Sequence, residues 1–135
     1  MLSGPGLVAL YRFLVGDGHP PSPEVEAAEG AAVAPIVSSL GRSGAHPTCA
    51  KALSAFVEVY GSEAGNVALT YVATGGIYVA GGIAPDLLVH APQAAAFRAA
   101  FDGKGRFSDL LAKIPVAVVI TQDLGLLGAA LEASG

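Results

Sequence analysis

Tryptophan is absent from this 135-residue chain, and cysteine and methionine occur once each. A lone cysteine, Cys49, excludes an internal disulfide and any cysteine-based metal cluster, and it fits a reducing compartment. Charge is scarce too. Only 13% of the residues are Asp, Glu, Lys or Arg, the seven basic ones form no cluster, and the formal net charge is -4. A phosphate backbone has nothing here to grip, so no nucleic acid is expected as a partner. Long apolar runs are also missing. Ile114 to Ile120 is far short of the roughly 20 residues that span a bilayer, so no membrane segment is expected. The opening MLSGPGLVAL has no basic stretch and meets Gly and Pro at once, so it is not read as a signal peptide and a cytoplasmic protein is expected.

Apolar residues are plentiful, at 53% of the chain. Disorder is thereby excluded, and a sizeable core can form in one domain or a piece of a larger one. So little charge remains to cover a surface that the chain is expected to associate, or to pack on something else.

The pattern along the chain predicts an α/β fold rich in helix. Leu7 to Val15 reads as a short helix with Ser3 as a possible cap, and Gly16 to Glu24 as a loop. Glu24 to Leu40 has helical spacing that Pro35 is expected to kink or split. Thr48 opens the longest helix, with an apolar stripe from Leu53 to Val72. Gly61 and Gly65 inside it imply close approach of a neighbouring backbone, since each costs up to about 1 kcal/mol against Ala. Thr74-Gly75-Gly76 is read as the helix end, with Gly in the left-handed position. Ile77 to Ala80 and Val116 to Ile120 read as two short parallel strands buried on both faces. Helices over Asp86 to Phe101, broken at Pro92, and over Phe107 to Lys113 lie between the strands, and a last helix spans Leu124 to Ala133.

Gly81-Gly82 falls where the first strand hands over to a helix. Ligands of open α/β sheets bind at that carboxyl edge, a bare backbone lets a flat ligand approach, and the next helix offers its positive end. A purely structural turn is the alternative. The acids do not converge on one place: Glu24, Glu26, Glu29, Asp102, Asp109 and Asp123 read as caps or solvated faces, and Asp86 suits a helix dipole. Lys104 and Arg106, on a Gly-flanked turn, are weak candidates for a phosphate. His19, His46 and His90 show no metal spacing.

The runs IYVAGGIAPDLL and FRAAFDGKGRFSDLLAKIPVAVVITQDLGLLGAA, with LSGPGLVALYRFL and CAKALSAFVEVYGSEAGNVAL before them, resemble the C-terminal part of the bacterial glucokinase family, in the hexokinase and actin-like ATPase superfamily. The resemblance implies the C-terminal part of a ribonuclease H-like large domain over residues 1–135, with the amino-terminal portion absent. It implies that Gly81, Gly82 and Ile83 form the adenosine motif, with Ser3 and Gly4 near the cleft, and that Gly128 is a packing glycine. The family uses ATP with Mg2+, phosphorylates glucose and is commonly dimeric. Its phosphate loop, catalytic Asp, sugar-binding residues and Mg2+ site have no match in this chain, so no catalytic residue is assigned and the chain alone is expected to be inactive. A non-catalytic interaction module, or a kinase for another sugar, are the alternatives.

Overall fold

Ser3 stands in extended backbone, and its hydroxyl accepts the Gly6 N–H at 3.2 Å. It thus satisfies one of the free amides that every helix start exposes. Helix α1 (Gly4–Gly16) follows, with Pro5 in its first turn and Leu7, Tyr11 and Leu14 buried along one face. The chain is described by a computed structural model over residues 2–121 and 123–134.

A single turn, α2 (Pro23–Glu26), and a 3-10 turn (Gly30–Ala32) lead into α3 (Val33–Ser43). The expected break at Pro35 lies upstream instead. Pro35 occupies the first turn of α3, where a missing N–H costs nothing. The helical pattern is interrupted over residues 27–32, with Gly30 at φ +59°.

Helix α4 (Pro47–Thr70) is the spine, and α1, α3 and α6 all pack against it. Cys49, Ala52, Leu53, Phe56 and Val57 are buried on it. Phe56, Tyr60, Phe97 and Phe101 form a chain of aromatic contacts with centroids 5.5 to 6.4 Å apart. That is the range in which edge-to-face and offset pairs are favourable. Close backbone approach at the two helical glycines is found as anticipated: a Cβ on Gly65 would stop 2.6 Å from the Phe101 carbonyl oxygen, and one on Gly61 would run into that of Phe97. Gly41 plays the same part where α3 meets α4, since a Cβ there would lie 2.7 Å from the Cys49 carbonyl oxygen.

The end of α4 corrects the sequence reading. The helix stops at Thr70, and Val72, a β-branched residue, takes φ +48°, while the Ala73 N–H closes on the Ala68 carbonyl at 3.0 Å. Val72 therefore holds the left-handed position assigned to the glycine pair. Gly76 has a different job. At φ +126° it lies against Pro115, and the next amide, Ile77 N–H, donates to the Pro115 carbonyl at 2.9 Å. Glycine is needed there to start the strand pair.

Strand β1 (Ile77–Val79) pairs in parallel with β2 (Val116–Val118), Ile77 opposite Val116 and Val79 opposite Val118. Parallel strands that are covered by helices on both sides read as unbroken apolar runs, and burial on both faces was expected. One face alone is covered: Val79 is buried and Ile77, Val116 and Val118 half-buried, whereas Tyr78 is 78% exposed and Ala117 also faces solvent. Between the strands run α5 (Ile83–Leu88), α6 (Ala91–Asp102) and the one-turn α7 (Ser108–Leu111), with Pro92 in the first turn of α6. Arg98 fastens this crossover. It pairs with Asp102 through two contacts of 2.8 Å and donates to the Ile114 and Leu111 carbonyls at 2.8 and 2.7 Å. Asp102 is thus the carboxylate of an ion pair with one charge-assisted hydrogen bond and not a helix cap. Helix α8 (Leu124–Ser134) closes the chain.

Candidate functional site

Beyond the carboxyl end of β1 the backbone turns at Gly81, whose φ of +103° lies in the region that favours glycine. Gly82 follows at φ -66° and caps α5. A Cβ on either would meet nothing within 4 Å, so neither glycine is required by close packing.

Gly82 and Ile83 open onto a cavity of about 290 Å3, at the lower end of the range for small-molecule sites (roughly 300–1,000 Å3). Four helices and the 3-10 turn before α3 build it. Helix α5 gives Gly82, Ile83, Asp86 and Leu87; α1 gives Gly4 and Leu7. Ala34 and Ser38, one turn apart on α3, form the opposite wall with Pro35 and Ala31, and Phe56 of α4 lies at the core side. The Gly4 position is tight, because a Cβ there would come 3.3 Å from that of Ala34. A second cavity of about 820 Å3 shares Gly4, Ala31 and Ala34 with the first and is lined also by Arg12 and Phe13.

Three of the five candidate residues, Gly4, Gly82 and Ile83, therefore meet at one cavity. Ser3 caps α1, and Gly81 shapes the turn without lining the space. Six residues are few for the positive pole expected of α5, because the aligned peptide dipoles that create it are correspondingly few. Sequence reasoning missed the α3 wall. Its signal was present as Ala31, Ala34 and Ser38 at helical spacing, but only tertiary packing shows that this face turns toward α5.

Several polar groups elsewhere have partners that fix the fold. The Lys104 ammonium donates to Ser62 Oγ at 2.7 Å and Arg106 stacks 4.8 Å over Phe107, which gives the two weak phosphate candidates structural work. Lys51 donates to His19 Nε2 at 2.8 Å, leaving Nδ1–H to donate to the Leu14 carbonyl at 3.1 Å. Arg42 donates to His90 Nε2 and to the Asp86 main-chain carbonyl, both at 3.0 Å. The Glu24 carboxyl is held below its ordinary range by the Ser22 hydroxyl, which donates to it at 2.8 Å. Cys49 is wholly buried, and burial pushes its thiol up, away from reactive thiolate. Among the described residues no three His, Cys, Asp or Glu side chains converge as metal ligands would, and no helix is long and apolar enough to cross a membrane.

A family model described as glucokinase matches residues 1–135. The glucokinase of Yersinia enterocolitica is 42% identical over 131 residues, which is 96% of this chain and 38% of that protein. The glucokinase of a Nostoc species is 37% identical over 147 residues, covering 99% of this chain and 43% of its own length. A crystal structure of glucokinase from an Antarctic psychrotroph matches with a TM-score of 0.72 and 32% identity, over 95% of this chain and 37% of that one. The chain spans about two fifths of the length of the relatives it matches.

Proposed function

This chain belongs to the glucokinase family, and on that premise we propose that it forms the nucleoside-holding side of an ATP-dependent glucokinase. In the longer polypeptide implied by the relatives, ATP and glucose give glucose 6-phosphate and ADP, with Mg2+, in a cytoplasmic homodimer built on a ribonuclease H-like fold. One observation carries the assignment of the site: Gly4, Gly82 and Ile83 converge on a single apolar-walled cavity beyond the end of β1. Adenine and ribose fit such a place because bare glycine backbone allows a flat group to approach closely, while Leu7, Ala34, Phe56 and Leu87 offer apolar area to its faces.

Phosphoryl transfer needs groups that this site does not bring together: metal ligands around the phosphates and an Asp to take the hydroxyl proton. The carboxylates of the described residues do not fit Mg2+, being dispersed and in part committed to Tyr11, Ser22 and Arg98. We assign Mg2+ binding, proton abstraction and glucose contacts to the remaining three fifths of the family's length. The chain alone holds a nucleoside weakly and does not phosphorylate glucose.

The test exploits the open space at Gly82. Its φ of -66° suits any residue and a Cβ there meets no atom, so Gly82→Ala and Gly82→Val leave the fold intact. Crowding a fitted ligand by one to three carbons costs about 1–3 kcal/mol, roughly a five- to 150-fold loss of affinity. On titration with ATP, amide NMR shifts are expected at Gly4, Ser38, Gly82 and Ile83. They should weaken with Ala and vanish with Val, while the melting temperature does not fall. ATP shifts that ignore both substitutions refute the site.

A second reading, a non-catalytic association module, is favoured by the exposed apolar residues of α8, among them Leu126 and Leu131. A concentration-independent monomer in light scattering speaks against it.

A further inference from the structure

The cavity that Gly82 opens has only two polar side chains in its lining, Ser38 and Asp86. Both are placed by ordinary helical geometry. Ser38 lies one turn beyond Ala34 on α3, and Asp86 one turn beyond Gly82 on α5. The hydrogen bond at Asp86 is made by its main-chain carbonyl, which accepts from Arg42 at 3.0 Å, so among the described residues the carboxylate is left free to face the cavity. The other lining side chains, such as Leu7, Ala34, Phe56 and Leu87, offer a base no hydrogen bond. Discrimination among nucleobases by side chains therefore falls to these two.

We propose that Asp86 reads the base, selecting a purine with an exocyclic amino group at carbon 6 over one with a carbonyl there, and that Ser38 holds either kind equally. The proposal rests on the nucleoside reading of the cavity and adds the basis of its selectivity. An ionised carboxylate is an acceptor only, whereas a hydroxyl both donates and accepts. The amino group of adenine donates to Asp86, and ring nitrogen 1 accepts from Ser38. In hypoxanthine the carbonyl oxygen at carbon 6 meets the carboxylate, so two acceptors confront each other with no proton to share. Ring nitrogen 1 now carries a hydrogen, and Ser38 answers by accepting instead of donating. The adenine amino group makes a charge-assisted hydrogen bond to the carboxylate that hypoxanthine cannot make.

ATP and inosine triphosphate differ only at carbon 6 and in the hydrogen on ring nitrogen 1, and they supply the test. Amide NMR titrations of the full chain are expected to give at least tenfold tighter binding of ATP. Asp86→Asn offers either a carbonyl or an amino group by turning its amide, so it should bring the two nucleotides to within about threefold. Ser38→Ala should weaken both by the same factor. Equal binding of the two by the unaltered chain, or an ATP preference that survives Asp86→Asn, overturns the assignment of the base reader while leaving the nucleoside site standing. Binding of neither nucleotide at the cavity overturns the site itself. Melting temperatures of the two variants within about 2 °C of the parent separate a local effect from misfolding.

Discussion

Replacing Gly61 by Ala sets two known effects against each other. In the middle of α4 (Pro47–Thr70) the substitution removes the entropic penalty of glycine and should stabilise the helix by about 0.5–1 kcal/mol. The new carbon, however, would be driven into the Phe97 carbonyl oxygen and would reach 3.0 Å from Phe97 Cα. Ordinary contact begins at 3.4 Å, and the obstacle is the backbone of α6, which no rotamer change can move aside. The two helices must separate, prising apart the Tyr60–Phe97 contact at 5.5 Å. Overpacking of this kind costs about 1–3 kcal/mol, and a rigid obstacle puts it at the upper end. The net expectation is a loss of about 2 kcal/mol. Gly65→Ala should lose about 1 kcal/mol, because its carbon stops 2.6 Å from the Phe101 carbonyl and its other near neighbour is the flexible Lys104 side chain. Gly75→Ala, with nothing within 4 Å, should change stability by under about 0.5 kcal/mol. Urea unfolding followed by circular dichroism ranks the three, since tryptophan is absent as an optical probe. If Gly61→Ala gains stability as an ordinary helical substitution would, the close approach of α4 and α6 is wrong.

Two other expectations concern tyrosines. The buried Tyr11 hydroxyl accepts the Ser22 N–H at 2.7 Å and donates to Glu26 at 3.1 Å; Tyr11→Phe leaves that buried amide without a partner and should cost about 1–3 kcal/mol in urea unfolding, and a neutral result would show that the hydroxyl does not tether the loop before α2. Burial raises both Tyr11 and Tyr60 above the ordinary value of 10.0, so the unfolded chain releases these protons first; the stability this contributes is complete below pH 10 and is lost as pH rises through the folded values. Unfolding curves between pH 9 and 11.5 should fall more steeply for the parent than for the Tyr11→Phe/Tyr60→Phe double variant, and parallel curves would contradict the burial.

Much of this fold was legible because its signals are local. Ser3 before Gly4, Pro92 in the first turn of α6, and the stripe on α4 each act within a turn or two of themselves. Gly61 and Gly65 told of a close neighbour, though not which one. What could not be read depends on distant parts. Nothing in Thr70 to Gly76 announces that Val72, and not a glycine, turns left-handed; closure of Ala73 onto Ala68 over-determines it. The apolar run Ile77 to Ala80 reads as covered twice, yet coverage is a property of neighbours, and Tyr78 has only its strand partner Ala117 and is left exposed. Of the cavity, the glycine pair was visible as a break in the strand pattern. Ser38 was not, since a serine on a predicted helix carries no sign of what it will face.

Helix α8 has consequences of its own. Every described residue from Gly125 to Ser134 is exposed, and the helix packs extensively on no other element. Eleven residues are too few to sustain a helix unaided in water. The segment should therefore melt independently of the core and well below its transition. Any surface that accepts Leu126, Leu127 and Leu131 would act as a mould, creating the helix in the act of binding it, and the strength of that union would rise and fall with the segment's intrinsic readiness to coil.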